Sequence, residues 1–186
     1  NSFSATFVAG NSAAMNEDAI VFSVMMAFYT ACGSFMGQNY GAGKKERIWK
    51  SYLYSLAYAF GSGLILGVSM VFFGTSFLRL FTSDPAVIEA GMYRVTFMGV
   101  FFGFSAFMDC TIAASRAIGK SLVPTVIVLL GACVFRIVWI YTIFAYFRTV
   151  PSLYLLYIFS WSITACAEII YFIRVYKKHI SPLCSD

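Results

Sequence analysis

Long apolar runs separated by short charged loops make up the sequence from about residue 19 onwards. Each run is long enough for a helix to cross the roughly 30 Å hydrocarbon core of a bilayer, because a helix rises about 1.5 Å per residue. The first run ends in a Gly-rich turn, Gly41-Ala42-Gly43, and a burst of positive charge follows this turn. The pattern predicts five membrane-spanning helices, at about 19–39, 51–78, 91–117, 122–147 and 152–173.

The polar segments between these runs define where the helices begin. Residues 1–16 are uncharged and rich in Ala, Ser and Asn, and an acidic pair follows at 17–18, so we interpret them as an outer loop or a short interfacial helix. Ser83 or Asp84 is a suitable N-cap, and Pro85 fits the first position of a short helix that leads into the third span.

Two spans carry glycine at a spacing that lets helix backbones approach closely. The second span contains Gly63-x-x-x-Gly67 and the third contains Gly99-x-x-x-Gly103. Small residues at this spacing occur where membrane helices pack against each other. Glycine is common in membrane helices, so each motif taken alone indicates packing only weakly.

The composition excludes a water-soluble globular domain. Hydrophobic residues make up 60% of the 186 residues and charged residues 11%, whereas roughly a quarter of an average soluble domain is charged. The net charge is +5, but no basic stripe with interleaved aromatic residues indicates nucleic-acid binding. We therefore predict an all-α integral membrane protein, with no nucleic acid among its partners.

The distribution of Lys and Arg predicts the orientation of the spans. Positive charge accumulates in cytoplasmic loops. One side of the predicted bundle receives nine Lys and Arg residues and the other receives three, namely Lys44, Lys45, Arg47, Lys50, Arg116, Lys120, Arg174, Lys177 and Lys178 against Arg79, Arg94 and Arg148. This bias places the C-terminus in the cytoplasm and the N-terminus outside. An odd number of spans with an outer N-terminus also suggests that a helix precedes the first one.

Neither the cysteines nor the single histidine indicates a metal or catalytic centre. The five cysteines are scattered without a C-x-x-C pair, and His179 alone cannot complete a zinc site. No nucleophile, base and orienting group stand together in the sequence as an enzyme would require. We expect no enzyme activity, no bound cofactor and no metal beyond a possible sodium ion.

Several motifs, in their order and spacing, resemble one known family of membrane transporters. They are Val8–Ala14 (VAGNSAA), Gly37–Gly43 (GQNYGAG), Thr82–Ile88 (TSDPAVI), Ser115–Ser121 (SRAIGKS), Phe135–Tyr141 (FRIVWIY) and the pairs Leu153-Tyr154 and Ser160-Trp161. Each motif is weakly specific, but the ordered set is similar to the multidrug and toxic compound extrusion (MATE) family of cation-coupled exporters. The similarity covers nearly the whole chain.

The resemblance implies both a fold and a function. Members of that family have twelve helices in two six-helix lobes, and residues 1–186 look like helices eight to twelve of the C-terminal lobe. The family exchanges a sodium ion or a proton for a cationic or amphipathic compound by alternating access. The implied partners are the N-terminal lobe and the preceding helix of the same parent chain, together with membrane lipids and small organic substrates. The implied location is the plasma membrane.

Asp109 is the candidate for cation coupling. A charge at the centre of a bilayer costs roughly 2.5–3.5 kcal/mol or more, so an acid inside the third span needs a reason to be there. A carboxylate that alternates between charged and neutralised states suits coupling to a proton or sodium. Pairing with Arg136, or with backbone and hydroxyl groups, is the structural alternative. The resemblance implies a coupling acid on this helix, at Asp109 or one turn away at the position of Ser105.

Two further intramembrane charges are candidates for ion pairs. Arg136 lies in the middle of the fourth span, where its side chain cannot easily reach water, so we expect it to face the bundle interior and a carboxylate, with substrate contact as the less favoured role. Glu168 lies near the end of the fifth span, and we expect it to be an acid close to the interface that reaches toward Arg174 or Lys178.

The remaining motif residues are predicted to be structural. Gln38 and Asn39 can cap the end of the first span beside Gly41 and tie it to the next loop. Arg116 and Gly119 belong to a tight basic turn, where the charge sets topology and contacts lipid headgroups. None of these residues is expected to be a ligand.

Two other function classes stay open from the sequence. A flippase for lipid-linked precursors, from the same superfamily, would favour several positive charges along the cavity, but only Arg136 lies in the middle of a span. A membrane scaffold without transport activity is the third class.

Overall fold

The computed structural model describes residues 4–180. It contains five helices that are long and apolar enough to cross a membrane, which confirms the predicted all-α membrane architecture. We number them α1 (Ala5–Gly41), α2 (Lys45–Leu78), α3 (Pro85–Ala117), α4 (Leu122–Phe147) and α5 (Val150–Val175). One wide π turn, Tyr176–Ile180, continues α5. The first three residues of the expected outer segment, Cys184 and the side chain of His179 lie outside the described residues.

The first helix is longer than the sequence suggested. It begins at Ala5, with the Ser4 hydroxyl accepting a hydrogen bond from the Phe7 amide at 3.2 Å, and runs without interruption to Gly41. The predicted start near residue 19 and the separate outer segment are therefore corrected. The helix continues through the acidic pair at 17–18 because these side chains are taken up inside the bundle, as described below.

Helices α1, α2 and α3 pack against one another and form the centre of the bundle. The glycine motifs of α2 and α3 meet where these helices cross: a Cβ atom on Gly99 would lie 2.7 Å from the carbonyl oxygen of Gly67. A second close approach joins α1 to α3, because a Cβ on Gly10 would lie 2.5 Å from the carbonyl oxygen of Val87. Glycine at these positions lets the backbones touch, as its spacing predicted for α2 and α3.

The last two helices form a looser layer on this centre. α5 packs along α3, whereas α4 packs mainly on α5 and touches α3 only near its start. α4 is irregular, with wide π turns at Leu129–Val134 and Ile140–Phe144. In the first of these turns Gly131 lies against Thr164, and its carbonyl accepts a hydrogen bond from the Ser160 hydroxyl at 2.8 Å.

Short turns with defined backbone geometry join the helices. Asp84 caps α3 by accepting a hydrogen bond from the Ala86 amide at 2.9 Å, and Pro85 is the first residue of the helix. Gly43 and Gly119 adopt left-handed backbone angles, with φ of 66° and 78°. Glycine tolerates this conformation at no steric cost, which explains its presence in the turn between α1 and α2 and in the turn between α3 and α4.

Candidate cation site and intramembrane charges

Six Asp, Glu and Arg residues lie well inside the membrane-spanning helices that the structure describes. Four are carboxylates and two are guanidiniums: Glu17, Asp18, Asp109 and Glu168 against Arg94 and Arg136. Burying each of these charges in the bilayer core costs free energy, unless the charge is paired with an opposite charge, solvated or neutralised by a bound ion. Their surroundings differ, and this difference separates structural charges from candidate functional ones.

Asp109 has a carboxylate oxygen with no protein partner. Its Oδ2 atom is buried and makes no hydrogen bond within residues 4–180. On α1, Tyr29 lies within electrostatic range of Asp109 and near Ser105, and its buried hydroxyl makes no hydrogen bond to another described residue. Ser105 lies one turn before Asp109 on α3; it is buried and donates its own hydroxyl proton to the carbonyl of Phe102 at 2.9 Å, so its lone pairs remain available. One carboxylate and two hydroxyl groups thus lie in the same region of the bundle.

This arrangement can accept either a proton or a small hard cation. A protonated Asp109 could donate to a neighbouring hydroxyl, and an ionised one could share a sodium ion with the oxygens of Tyr29 and Ser105, because hard cations prefer oxygen ligands. Within the described part of the chain no group of three His, Cys, Asp or Glu residues could hold a metal ion.

Arg136 does not pair with Asp109, which corrects that part of the structural alternative raised from the sequence. Its guanidinium carbon lies 4.6 Å from the centre of the Tyr157 ring, and its Nε donates to the Ser160 hydroxyl at 3.1 Å. The reason is the packing order: α4 lies on α5, so Arg136 meets side chains of α5 before it can reach the carboxylate on α3. Within residues 4–180 it forms no ion pair.

Glu168 also differs from its predicted role as an acid close to the interface. Its side chain is fully buried, and neither carboxylate oxygen has a hydrogen-bond partner among the described residues. The cation that acts on it electrostatically is Arg116 at the end of α3, whereas Arg174 and Lys178 are exposed and form no ion pair with it. α5 packs along α3, and this packing encloses Glu168.

An ion pair that sequence reasoning missed joins α1 to α3. Arg94, whose position in the sequence predicts an outer-loop charge, donates from Nε to Oδ2 of Asp18 at 2.7 Å and from Nη1 to the Asn11 side-chain oxygen at 3.1 Å. The Tyr154 hydroxyl of α5 donates to the same Asn11 oxygen at 3.3 Å. The pair therefore ties three helices together, and removing Arg94 from the outer count strengthens the predicted orientation.

Glu17 lies beside this pair and is fully buried, with neither of its oxygens hydrogen-bonded to a described residue. The sequence did contain a signal for both acids. No proline interrupts the run between Ala5 and Asp18, so the sequence also permits a continuous helix that carries both acids into the bundle.

The loop motif residues lie away from the Asp109 group. The Gln38 side chain donates to the Ser34 hydroxyl at 3.3 Å, and that of Asn39 donates to the Ser51 hydroxyl of α2 at 3.2 Å. Gly41 is the last residue of α1. Arg116 is exposed on the last turn of α3, directly before the turn that contains Gly119.

Comparisons with known proteins place the chain among membrane transporters. The MatE family model matches residues 1–142. Over 144 residues the chain is 26% identical to the probable multidrug resistance protein NorM of Thermotoga maritima, covering 75% of this chain and 30% of that protein. Over 136 residues it is 27% identical to the probable multidrug resistance protein YpnP of Bacillus subtilis, covering 73% of this chain and 31% of that protein.

A shorter match and a solved structure point the same way. An FAD transporter of Shewanella oneidensis is 30% identical over 82 residues, which is 44% of this chain and 18% of that protein. The solved inward-facing conformation of a multidrug resistance MATE family transporter of the MOP superfamily aligns with a TM-score of 0.73 at 21% identity, over 93% of this chain and 40% of that one. The chain thus spans less than a third of the length of the curated relatives it matches.

Proposed function

The chain belongs to the MatE family of multi-pass membrane transporters, and from this premise we propose that it forms part of a cation-coupled antiporter. The exported compounds are organic cations, drugs or amphipathic molecules, and the coupling ion is sodium or a proton. The chain contributes five helices of one lobe, and the other lobe and a preceding helix of the same parent chain complete the cavity. The protein lies in the plasma membrane, and the lysine-rich ends of its helices face the cytoplasm.

The observation that carries this proposal is the unpartnered Asp109 oxygen beside Tyr29 and Ser105. A buried carboxylate without a protein partner is costly in its ionised form, so it gains by binding a proton or a sodium ion. The excess of carboxylates over guanidiniums inside the described spans supports cations, rather than anions, as the transported charge. Alternate exposure of Asp109 to the two sides of the membrane would then link cation entry to substrate exit.

The test replaces Asp109 in the full-length parent. Asp109→Asn keeps the shape of the side chain but removes its full negative charge and its ability to release a proton. We expect near-normal abundance in the membrane and an efflux per folded molecule that falls at least several-fold, under an imposed sodium gradient and under an imposed proton gradient. The gradient that drives wild-type efflux identifies the coupling ion.

The matched control is Asp84→Asn. It makes the same chemical change at an exposed helix cap, where Asn caps as well as Asp, so efflux should stay at the wild-type level. Wild-type efflux per folded molecule in Asp109→Asn would remove the coupling role. Low abundance with normal transport by each remaining molecule would make Asp109 a structural acid.

A second candidate function is the flipping of lipid-linked precursors. The observation in its favour is that two intramembrane guanidiniums, those of Arg94 and Arg136, lie 5.8 Å and 4.6 Å from the Tyr157 ring centre. Asp18 already neutralises Arg94, so among the described residues only Arg136 remains as an intramembrane cation without a carboxylate. Translocation of a fluorescent polyprenyl-diphosphate lipid by the reconstituted parent, without cation-driven dye efflux, would favour this alternative.

A further inference from the structure

A groove with a volume of about 430 Å³ opens between the first turns of α2 and the end of α5, at the lysine-rich end of the bundle. Trp49, Ile173 and Tyr176 line its apolar part. This end of the bundle is where the predicted membrane boundary lies, because the uncharged run of α2 begins just after Lys50.

The aromatic wall of the groove is fixed in place before any ligand binds. The Trp49 ring stacks on Phe172 with centroids 6.3 Å apart and planes 3° apart, and it lies 5.2 Å from the Tyr176 ring. The Tyr176 hydroxyl donates to the carbonyl of Lys45 at 3.2 Å and so joins the end of α5 to the start of α2. A wall held by such contacts loses little conformational freedom on binding.

The rim of the groove is positively charged. Lys45, Lys50 and Lys177 contribute to the lining, and Glu46 is the one acid that lines the groove among residues 4–180. Glu46 lies 3.7 Å from Lys50, with relative side-chain exposures of 87% and 64%. Exposed pairs of this kind are worth little, so a competing phosphate can recruit Lys50 at small cost, and the rim carries an excess of positive charge.

We propose that this groove binds one anionic phospholipid, independently of the transport reaction. The headgroup phosphate lies between Lys50 and Lys177, and an acyl chain lies on Trp49 and Ile173. Basic pockets between membrane helices on the cytoplasmic side suit anionic headgroups, and Trp occupies the headgroup level of the interface. A free phosphate would use only the rim, and a zwitterionic lipid would bring no net charge to it.

The experiment measures lipid retention by the purified full-length parent. Native mass spectrometry after delipidation, with added dioleoylphosphatidylglycerol or dioleoylphosphatidylcholine, counts the bound lipids of each class. We expect one tightly retained phosphatidylglycerol and no comparable phosphatidylcholine. The double variant Lys50→Gln/Lys177→Gln should weaken this retention at least about fivefold, given the usual contribution of each lysine near an anionic surface. Trp49→Ala should weaken it through the acyl chain.

The matched control is Lys44→Gln/Lys120→Gln, which removes the same charge at the same end of the bundle outside this groove. It should retain the lipid like the wild type, and inorganic phosphate at millimolar concentration should not displace the lipid. Equal losses in the two double variants would overturn the proposal, because overall charge would then explain retention. Unchanged retention in the groove variants, or equal retention of both lipids, would also overturn it.

Discussion

Arg94 and Asp18 form a nearly buried ion pair that joins α3 to α1, with relative side-chain exposures of 9% and 16%. The Arg94 Nε donates to the Asp18 Oδ2 at 2.7 Å, and Nη2 donates to the same oxygen. Since Arg94 also holds Asn11, to which Tyr154 of α5 donates, one guanidinium organises the contacts of three helices. Removing either member of the pair leaves an uncompensated charge inside the bundle.

Breaking this pair should lower the amount of folded protein. In the full-length parent we expect Arg94→Ala and Asp18→Ala each to destabilise the fold by about 3–5 kcal/mol, the usual effect of leaving one charge of a buried pair behind. The double variant should recover part of that loss. Fluorescence-detected size-exclusion chromatography measures the amount of folded protein for each variant. Glu46→Ala, which breaks the exposed pair with Lys50, is the neutral control. Double-variant losses equal to the sum of the single ones would contradict coupling between the two charges.

The contact between Arg136 and Tyr157 should be seen in a double-mutant cycle. Tyr157→Leu removes the ring that lies 4.6 Å from the guanidinium carbon, which we expect to cost about 0.5–2 kcal/mol. The ring-preserving control, Tyr157→Phe, should cost much less. Arg136→Gln combined with Tyr157→Leu should be non-additive in thermal stability. Arg136→Gln combined with Asp109→Asn should instead be additive in thermal stability. Strong coupling between Arg136 and Asp109 would contradict the packing of α4 on α5.

The glycine crossing offers a test with an internal control. Gly67→Ala places a Cβ against the backbone carbonyl of Gly99, whereas Gly61→Ala meets no atom within 4 Å. The first change must separate α2 from α3 and should lower the melting temperature of the purified parent by several degrees or more. The second should be neutral or stabilising, because Ala favours a helix over Gly by about 1 kcal/mol. Equal melting temperatures for the two variants would argue against the close crossing.

Cysteine accessibility tests the orientation. A maleimide reagent that cannot cross the membrane should label Ser83→Cys in intact cells and should label Lys120→Cys only after the membrane is permeabilised. The two positions lie at opposite ends of α3, so together they report both faces. Labelling of Lys120→Cys in intact cells would reverse the orientation inferred from the positive charges.

Much of the fold could be predicted because it depends on local pattern. The apolar runs predicted the number and order of the helices, since apolar spans are a local property of the chain. Asp84-Pro85 predicted a helix start at the right residues, but as a short helix leading into the third span, whereas α3 runs without interruption from Pro85 to Ala117. The partners of the intramembrane charges could not be predicted. From the sequence, Asp109 was a plausible partner for Arg136. The packing of α4 on α5 instead brings Arg136 into contact with Tyr157, and Asp109 does not pair with Arg136.

The sequence by itself determined that the chain crosses a membrane five times, which end of the bundle carries the positive charge, and where the backbones of α2 and α3 can touch. Hydropathy, charge bias and the spacing of small residues depend only on the order of residues along the chain, so these features can be predicted before the tertiary structure is known. Only the tertiary structure decided that Asp18 pairs with Arg94 and that Asp109 lies within electrostatic range of Tyr29. Contacts between residues far apart in the chain depend on the rotation and depth of each helix, and different packings of the same apolar pattern would change them.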